Sequence, residues 1–588
     1  CQVSESVLKT LEKKKVISFF EQTVDREEKK TEVWEEKIVE KLNNDQEQAF
    51  NDILQMEASQ SNLKEGLLFG VTGSGKTEIY LRLAEEMLKK NKTVIILVPE
   101  ISLTPLMISR FTKKFGDKIA VWHSRLTPTQ RFEQWQKILR QDKKIVVGAR
   151  SAIFAPMKNI GLIVIDEEQE TSYSSESLPR YDAHDIARIR AIHHQAILLL
   201  GSATPSIETY FRTQNNKTKL FVLSQRAKPA PLPRIHLVQM KDEFLRNDFD
   251  YVFSQALLNN MEETFNCGGQ VMLFLNRRGL TSALQCLSCG YVAKCPDCEV
   301  SMTRHQNKHT KNGKRLICHY CGRIEAVFTT CPACGSEEIK SYGLGTQKVE
   351  KAFLRQFPER KALRMDYDTM IGSDAHQIML SSFGRREADC LIGTQMIAKG
   401  HDFPNVKTVG IIAVDTMLNT GNYKSEERAF QLIIQAAGRA GRSDVQGDVF
   451  IQGYDLNNHV ITSASQQDYE EFYADEISYR QRAAFPPFGE IGLAIFSSLN
   501  ENAARKEASL MFYSLKNAME NNPEYFKGTM LFPPAPSPIP RLRKRYRYRL
   551  IIKSDKKIKI AQLFHLESSR KKQKGVGLNL DINPEHML

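Results

Sequence analysis

Gly70, Val71, Thr72, Gly73, Ser74, Gly75, Lys76 and Thr77 limit the possible folds of this chain more than any other feature. They follow the apolar run Leu67–Phe69 and open a segment of helical periodicity running towards Lys90. Glycines at such a turn let the backbone wrap a polyphosphate, and the helix amino end adds N–H donors and a positive dipole. Lys76 is placed to reach the β- and γ-phosphates of ATP, and the Thr77 hydroxyl to hold Mg2+. A chance glycine-rich turn would lack the strand before it, the helix after it and the intact Gly-Lys-Thr.

The surrounding pattern is that of parallel sheets. Thr93–Val98, Ile145–Val147, Leu162–Ile165 and Ile197–Leu200 are short apolar runs separated by helical stretches, as buried parallel strands require. Residues 40–230 form a first lobe on this reading, and the proline-rich segment Lys228–Pro233 a hinge. A second alternating region resumes with Val271–Leu275, Ala362–Met365, Asp389–Ile392, Val409–Val414 and Asp448–Ile451. It makes a second lobe over 231–283 and 343–460, interrupted by a cysteine-rich insertion at 284–341. Residues 465–588 read as a small α+β domain, and residues 1–30 as a helix, Ser6–Lys14, with a strand at Val16–Phe20. The fold class is α/β.

Two further elements complete the phosphate chemistry. Asp166 and Glu167 close the run Ile163–Ile165, where a Mg2+ partner and a water-polarising carboxylate belong. Gln435–Arg442 offers Arg439 after Gly438 and Arg442 after Gly441, and guanidinium forks suit charge developing on phosphate oxygens. Alone, the first is an ordinary solvated strand end and the second a surface helix. Together they put ATP between two lobes that hydrolysis can open and close, which is a motor.

Cys286, Cys289, Cys295, Cys298, Cys318, Cys321, Cys331 and Cys334 form four Cys-x-x-Cys pairs. Four such knuckles make two tetrahedral four-thiolate sites, giving two Zn2+ per chain. Disulfides or an iron–sulfur centre are the alternatives. A net charge of +13 suits a polyanionic partner. The tract Arg541, Arg543, Arg545, Tyr546, Arg547 to Arg549 interleaves cations with tyrosines and is expected to be one strand with a basic face for phosphates. A solvated charge run is its alternative. No apolar run reaches the ~20 residues that span a bilayer, so no membrane partner is expected and the cytoplasm is the default compartment. The chain begins at Cys1 and is read as a fragment or a processed form.

These motifs, with Gly201–Pro205 between them, resemble the superfamily 2 helicases. Leu97–Thr104, Phe274–Gly279, Ile392–Asp402 and the eight cysteines narrow the resemblance to the bacterial primosomal, replication-restart branch, from about Leu42 almost to Leu588. The resemblance implies two RecA-like motor lobes, a zinc-binding insertion in the second and a DNA-binding carboxyl-terminal domain. It implies 3′→5′ unwinding of branched or forked DNA, binding of single-stranded DNA, and partnership with primosome proteins and the single-stranded-DNA-binding protein near the nucleoid. It assigns Gln46 to adenine, Tyr173, Arg180 and Tyr181 to a DNA-coupling loop, one zinc to Cys286, Cys289, Cys331 and Cys334, and the other to Cys295, Cys298, Cys318 and Cys321. Residues 1–30 resemble the end of the family's winged helix, with the domain ahead of it, which grips a 3′ end, expected to be missing. The family usually has histidine after Asp-Glu-Glu, and here Gln169 stands there; glutamine can hydrogen-bond but not become cationic. Two other functions are compatible with the motifs: a DNA-bound scaffold with a dispensable motor, and an RNA helicase.

Overall fold

The apolar runs pair as strands in the computed structural model. It describes residues 5–18, 41–99, 105–124, 126–175, 177–227, 231–240, 252–275, 283–286, 288–289, 291–297, 302–306, 314–318, 323–337, 339–342, 345–366, 375–395, 397, 403–418, 422–441, 446–454, 456–568 and 573–587. The first lobe contains β1 (Lys64–Gly70), β2 (Thr93–Leu97), β3 (Ile119–Trp122), β4 (Ile145–Gly148), β5 (Ile160–Asp166), β6 (Ile197–Ser202) and β7 (Lys219–Leu223). All pair in parallel, in the order β3-β4-β2-β5-β6-β1-β7. β2, β4 and β6 are buried along their whole length, which is why they read as continuous apolar runs. The helix Lys76–Lys89 buries Ile79, Tyr80, Leu83 and Met87 at helical spacing against this sheet.

The second lobe opens with β8 (Arg234–Gln239) and β9 (Gln270–Leu275). An insertion follows, comprising β10 (Ala283–Cys286), β11 (Thr303–Gln306), β12 (Lys314–Ile317), β13 (Ile324–Ala326) and β14 (Ile339–Tyr342). The lobe resumes with β15 (Ala362–Met365), β16 (Cys390–Gly393), β17 (Val406–Ile412) and β18 (Asp448–Gly453), in the parallel order β15-β16-β9-β17-β18-β8. The carboxyl-terminal domain is an antiparallel sheet of β19 (Glu490–Ser498), β20 (Met530–Leu531), β21 (Ala535–Leu542), β22 (Arg545–Ser554) and β23 (Gly577–Ile582). Helices Glu501–Asn521 and Lys557–Ser568 bury Met511, Leu515, Ile560 and Leu563 in the same core as Phe496 and Ile552 of this sheet. No helix among the described residues is long and apolar enough to cross a membrane.

Two sequence expectations need correction. The segment after the first helix (Glu5–Lys13) is not a strand over Val16–Ser18, because Lys15 turns left-handed (φ 55°) and the Val16 N–H caps the Leu11 carbonyl; Phe19 and Phe20 lie outside the described residues. Arg541–Arg549 is not one strand but the tip of a hairpin. Arg543 and Lys544 adopt φ of 50° and 65°, and Arg541 pairs with Tyr546 and Leu542 with Arg545 across them. A two-residue turn with both φ positive matches the twist of the flanking strands. Lys228–Ala230 of the expected hinge lies outside the described residues.

Candidate active site

The phosphate loop forms where β1 ends. Gly73 and Gly75 have φ of 83° and 84°, a region that only glycine enters freely, and Gly75 caps the following helix. Lys76 Nζ donates to the Gly70 carbonyl at 2.9 Å, which places the ammonium inside the loop. Gln46 is buried beneath it. Its Oε1 accepts the Asn43 N–H at 3.0 Å, closing a capping box, and its Nε2 donates to the Ser74 carbonyl at 2.8 Å. A side chain on Gly75 would stand 2.3 Å from that Nε2. Gln46 therefore braces the loop backbone.

At the end of β5, Asp166 Oδ1 accepts the Tyr80 hydroxyl at 2.9 Å. Gly201 on the neighbouring β6 makes room, since a Cβ there would lie 1.7 Å from the Tyr80 oxygen. Burial and the adjacent Glu167 carboxylate push Asp166 up to about 6, against the pull of Lys76 and Tyr80. Glu167 turns left-handed (φ 48°), and its Oε2 accepts Gln169 Nε2 at 2.7 Å. Gln169 Oε1 accepts the Ser202 hydroxyl at 2.6 Å, and Ser202 Oγ accepts the Thr204 N–H at 2.9 Å. One amide thus links the Asp-Glu turn to the Gly201–Pro205 loop. Glu168 continues the link from its buried position, accepting from Ser206 N–H at 2.6 Å and Thr209 Oγ1 at 2.9 Å.

The second lobe closes over this edge. A Cβ on Gly438 would stand 2.9 Å from Thr72 Oγ1, so the turn carrying Arg439 abuts the phosphate loop. Arg439 is buried at this junction, and Arg442 lies outside the described residues. Arg226, beyond β7, donates to the Gly441 carbonyl at 2.8 Å. A cavity of about 340 Å³ remains between the lobes, lined by Gly70–Thr72, Thr204, Phe430, Gly438 and Tyr469. A carboxylate and a hydroxyl at Asp166 and Thr77 suit one Mg2+, which would neutralise phosphate charge.

The expected DNA-coupling loop is placed differently. Tyr173 is 1% exposed and donates to the Asp166 carbonyl at 2.5 Å, so its ring is core rather than a stacking platform. Arg180 donates to the Leu580 carbonyl at 3.2 Å and pairs with Asp581, joining the first lobe to the carboxyl-terminal domain instead of presenting a free cation. Tyr181 is half-buried, edge-on to Phe154 with Arg150 over its ring. On β22, Arg545, Arg547 and Arg549 alternate with Tyr546, Tyr548 and Leu550, so the three cations share one side of this strand. Arg545 donates to the Ser497 carbonyl at 2.6 Å, and Arg541, at 4.8 Å over the Tyr546 ring, donates to the Pro296 carbonyl at 3.0 Å. The exposed cations of the tract are Arg543 and Lys544 at the turn.

In the insertion, the sulfurs of Cys286, Cys289, Cys331 and Cys334 all lie within 4.8 Å of one another. Cys286–Cys334 and Cys289–Cys331 are each 3.6 Å apart, too long for a disulfide of ~2.05 Å. A tetrahedron with Zn–S of ~2.3 Å has an edge of about 3.8 Å, so the donor set fits zinc. Cys295 and Cys318 are buried together in the insertion's small core; Cys298 and Cys321 lie outside the described residues.

Sequence comparison agrees with this anatomy. Residues 43–212 match the DEAD/DEAH box helicase family and residues 342–444 the helicase conserved C-terminal domain. Two parallel-sheet lobes with these matches define the chain as a helicase motor of that superfamily. Residues 481–585 match the primosomal protein N C-terminal domain. The replication restart protein PriA of Bacillus subtilis is 42% identical over 551 residues, covering 93% of this chain and 67% of that protein. Those of Synechocystis (38% identical, 88% and 62% covered) and Haemophilus influenzae (36%, 93% and 72%) are similar. The chain belongs to the PriA family of replication restart proteins and spans about two thirds of these relatives' length. Among solved structures, RecG bound to a three-way DNA junction aligns with a TM-score of 0.44 at 14% identity, over 75% of this chain and 47% of that one.

Proposed function

We propose that the chain hydrolyses ATP to drive 3′→5′ unwinding of branched or forked DNA, and that it starts primosome assembly in the bacterial cytoplasm. The observation that carries this reading is the continuous link Glu167–Gln169–Ser202–Thr204, set beside a phosphate loop that the second lobe abuts. A carboxylate held by an amide that is itself hydrogen-bonded to an adjacent loop cannot reorient freely, so motion of that loop reaches the water it polarises. Lys76, Asp166 and Thr77 hold Mg-ATP in this reading, and Arg439 and Arg442 stabilise charge on the transferred phosphoryl. Gln46 contacts adenine in this reading, as well as bracing Ser74.

DNA partners are supported by the +13 net charge and by the cations of β22 and its turn. In this reading Tyr181, Arg543 and Arg547 are the expected contacts that meet DNA. Primosome proteins and a single-stranded-DNA-binding protein are the partners implied by membership of the restart family. Two Zn2+ complete the insertion, the second held by Cys295, Cys298, Cys318 and Cys321. The test is ATP turnover with and without forked DNA, and strand displacement on substrates with either tail polarity. Fork-stimulated turnover abolished by Lys76→Ala is expected. Turnover indifferent to DNA, or unaffected by that substitution, refutes the motor, and displacement from a 5′ tail alone refutes the direction.

A further inference from the structure

Both motor lobes and the carboxyl-terminal domain meet at a buried cluster of charge. The helix Ser425–Ala437 ends at the Gly438–Arg439 turn that abuts Thr72, and it carries the buried Glu427. Glu427 Oε1 accepts the Ile207 N–H at 3.0 Å, two residues beyond the Gly201–Pro205 loop of the first lobe. Its Oε2 accepts Arg480 Nη2 at 2.7 Å, from the helix Tyr469–Ala483 that leads into the carboxyl-terminal sheet. Arg480 is fully buried and also reaches Glu476 at 2.7 Å, Glu208 at 3.1 Å and the Pro486 carbonyl at 3.1 Å. Lys424 and Arg428 draw in Glu585 from near the end of the chain, at 2.9 and 2.5 Å. One turn beyond Glu427, Gln431 Nε2 reaches the Thr204 carbonyl at 3.4 Å.

Burying so many charges is a poor way to gain stability, because desolvation opposes each ion pair. What the cluster does supply is geometry. Glu427 presents two acceptor oxygens to two different bodies, one to the first lobe and one to the carboxyl-terminal domain. Eleven helical steps, roughly 17 Å at ~1.5 Å each, separate it from Gly438. A rigid helix pinned at Glu427 therefore fixes where its far end, and Arg439 with it, meets the phosphate loop.

We propose that Glu427 is a positioning residue that sets lobe closure at the ATP site and, through Arg480, lets the carboxyl-terminal domain govern that closure. The proposal rests on the ATP-hydrolysing reading above. Glu427→Gln tests it with almost no change of size. An amide has one acceptor oxygen, which the charged Arg480 fork holds more strongly than a neutral N–H does, so the NH2 turns towards the Ile207 N–H and that contact is lost. The expected result is a fall of about tenfold in DNA-stimulated kcat with KM for ATP unchanged, the pattern of a lost transition-state interaction. Hydrogen exchange of the peptide containing Ile207 should quicken by about tenfold as its acceptor is weakened.

Glu476→Gln is the control, since it makes the same carboxylate-to-amide change in the same cluster and leaves an acceptor for Arg480; among the described residues Glu476 Oε2 has no hydrogen-bond partner. It should leave both readouts unchanged. Unaltered kcat in Glu427→Gln overturns the proposal, as does a fall in kcat without faster exchange at Ile207. Equal losses in the two variants also overturn it, because the cluster would then act only as bulk charge. Exchange does not need turnover. If the parent protein shows no DNA-stimulated ATPase the motor reading fails, and unchanged exchange at Ile207 in Glu427→Gln separately refutes the coupling.

Discussion

Replacing Gln169 by alanine removes the amide that joins Glu167 to Ser202. In the structure that amide makes two short bonds, 2.7 Å to a carboxylate and 2.6 Å from a hydroxyl. A hydrogen bond to a charged partner contributes about 1.5–3 kcal/mol, and the Ser202 bond, between neutral groups, about 1 kcal/mol. If only the first bears on the position of Glu167 in the transition state, kcat should fall by about 10- to 160-fold at ~1.36 kcal/mol per decade. Lys76 and Asp166 are untouched, so nucleotide affinity should hold. Steady-state ATP turnover at saturating DNA, with nucleotide binding measured separately, checks both halves. Gln169→Glu should be at least as damaging, because it sets a second carboxylate against Glu167 and leaves no donor between them. Gln169→His restores a ring that can donate to Glu167, and should stay within about threefold of the parent. Turnover of Gln169→Ala within twofold of the parent would refute the link as a functional element.

Three further outcomes follow from the geometry. Gly201→Ala drives a methyl into Tyr80 and should lower Tm by more than Tyr80→Phe, which removes only the hydroxyl; equal Tm values would contradict the packing. His184 lies 2.9 Å from Asp182 and 3.6 Å from Glu168, and although burial opposes its charge, the two carboxylates raise it to about 10. Its folded pKa exceeds the unfolded ~6.5, so this stabilisation is complete below ~6.5 and is lost as pH rises through 10. The Tm difference between the parent and His184→Gln should accordingly shrink between pH 6.5 and 10, and a constant difference would count against a charged His184. Metal analysis should return about two zinc ions per chain, and Cys331→Ser should remove one while exposing the insertion to protease; a metal-free insertion that resists protease would refute the site.

The parts of the motor written into contiguous residues were legible in the sequence. A phosphate loop and an Asp-Glu strand end need their residue types at fixed local spacing, and parallel strands buried on both faces appear as unbroken apolar runs. β7 and β8 lie at sheet edges with partly exposed faces and are not among the runs read as strands; His236 breaks the apolar pattern of β8, whereas Leu220–Leu223 of β7 is an apolar run that the sequence reading passes over. The hairpin turn at Arg543-Lys544 was hidden because it uses neither glycine nor asparagine, the residues that usually mark positive φ. The resemblance puts Tyr173 in a DNA-coupling loop, yet the turn after β5 folds it back beneath Asp166. The Glu427–Arg480 cluster draws on residues 208, 424, 427, 480 and 585, and nothing local in any of them signals the meeting.

The insertion enters and leaves the second lobe side by side. β10 and β14 are antiparallel neighbours, with Ala283 opposite Tyr342, so its two ends stand about 5 Å apart. A segment with adjoining ends can be gained or shed by a lineage in one event, leaving the host sheet continuous from β9 to the helix Thr346–Gln356. The same geometry offers a graft point, at which a short turn could replace the knuckles or a foreign module could take their place. Such a graft would forfeit the support that Pro296 and Asp297 give to the tip of the carboxyl-terminal hairpin.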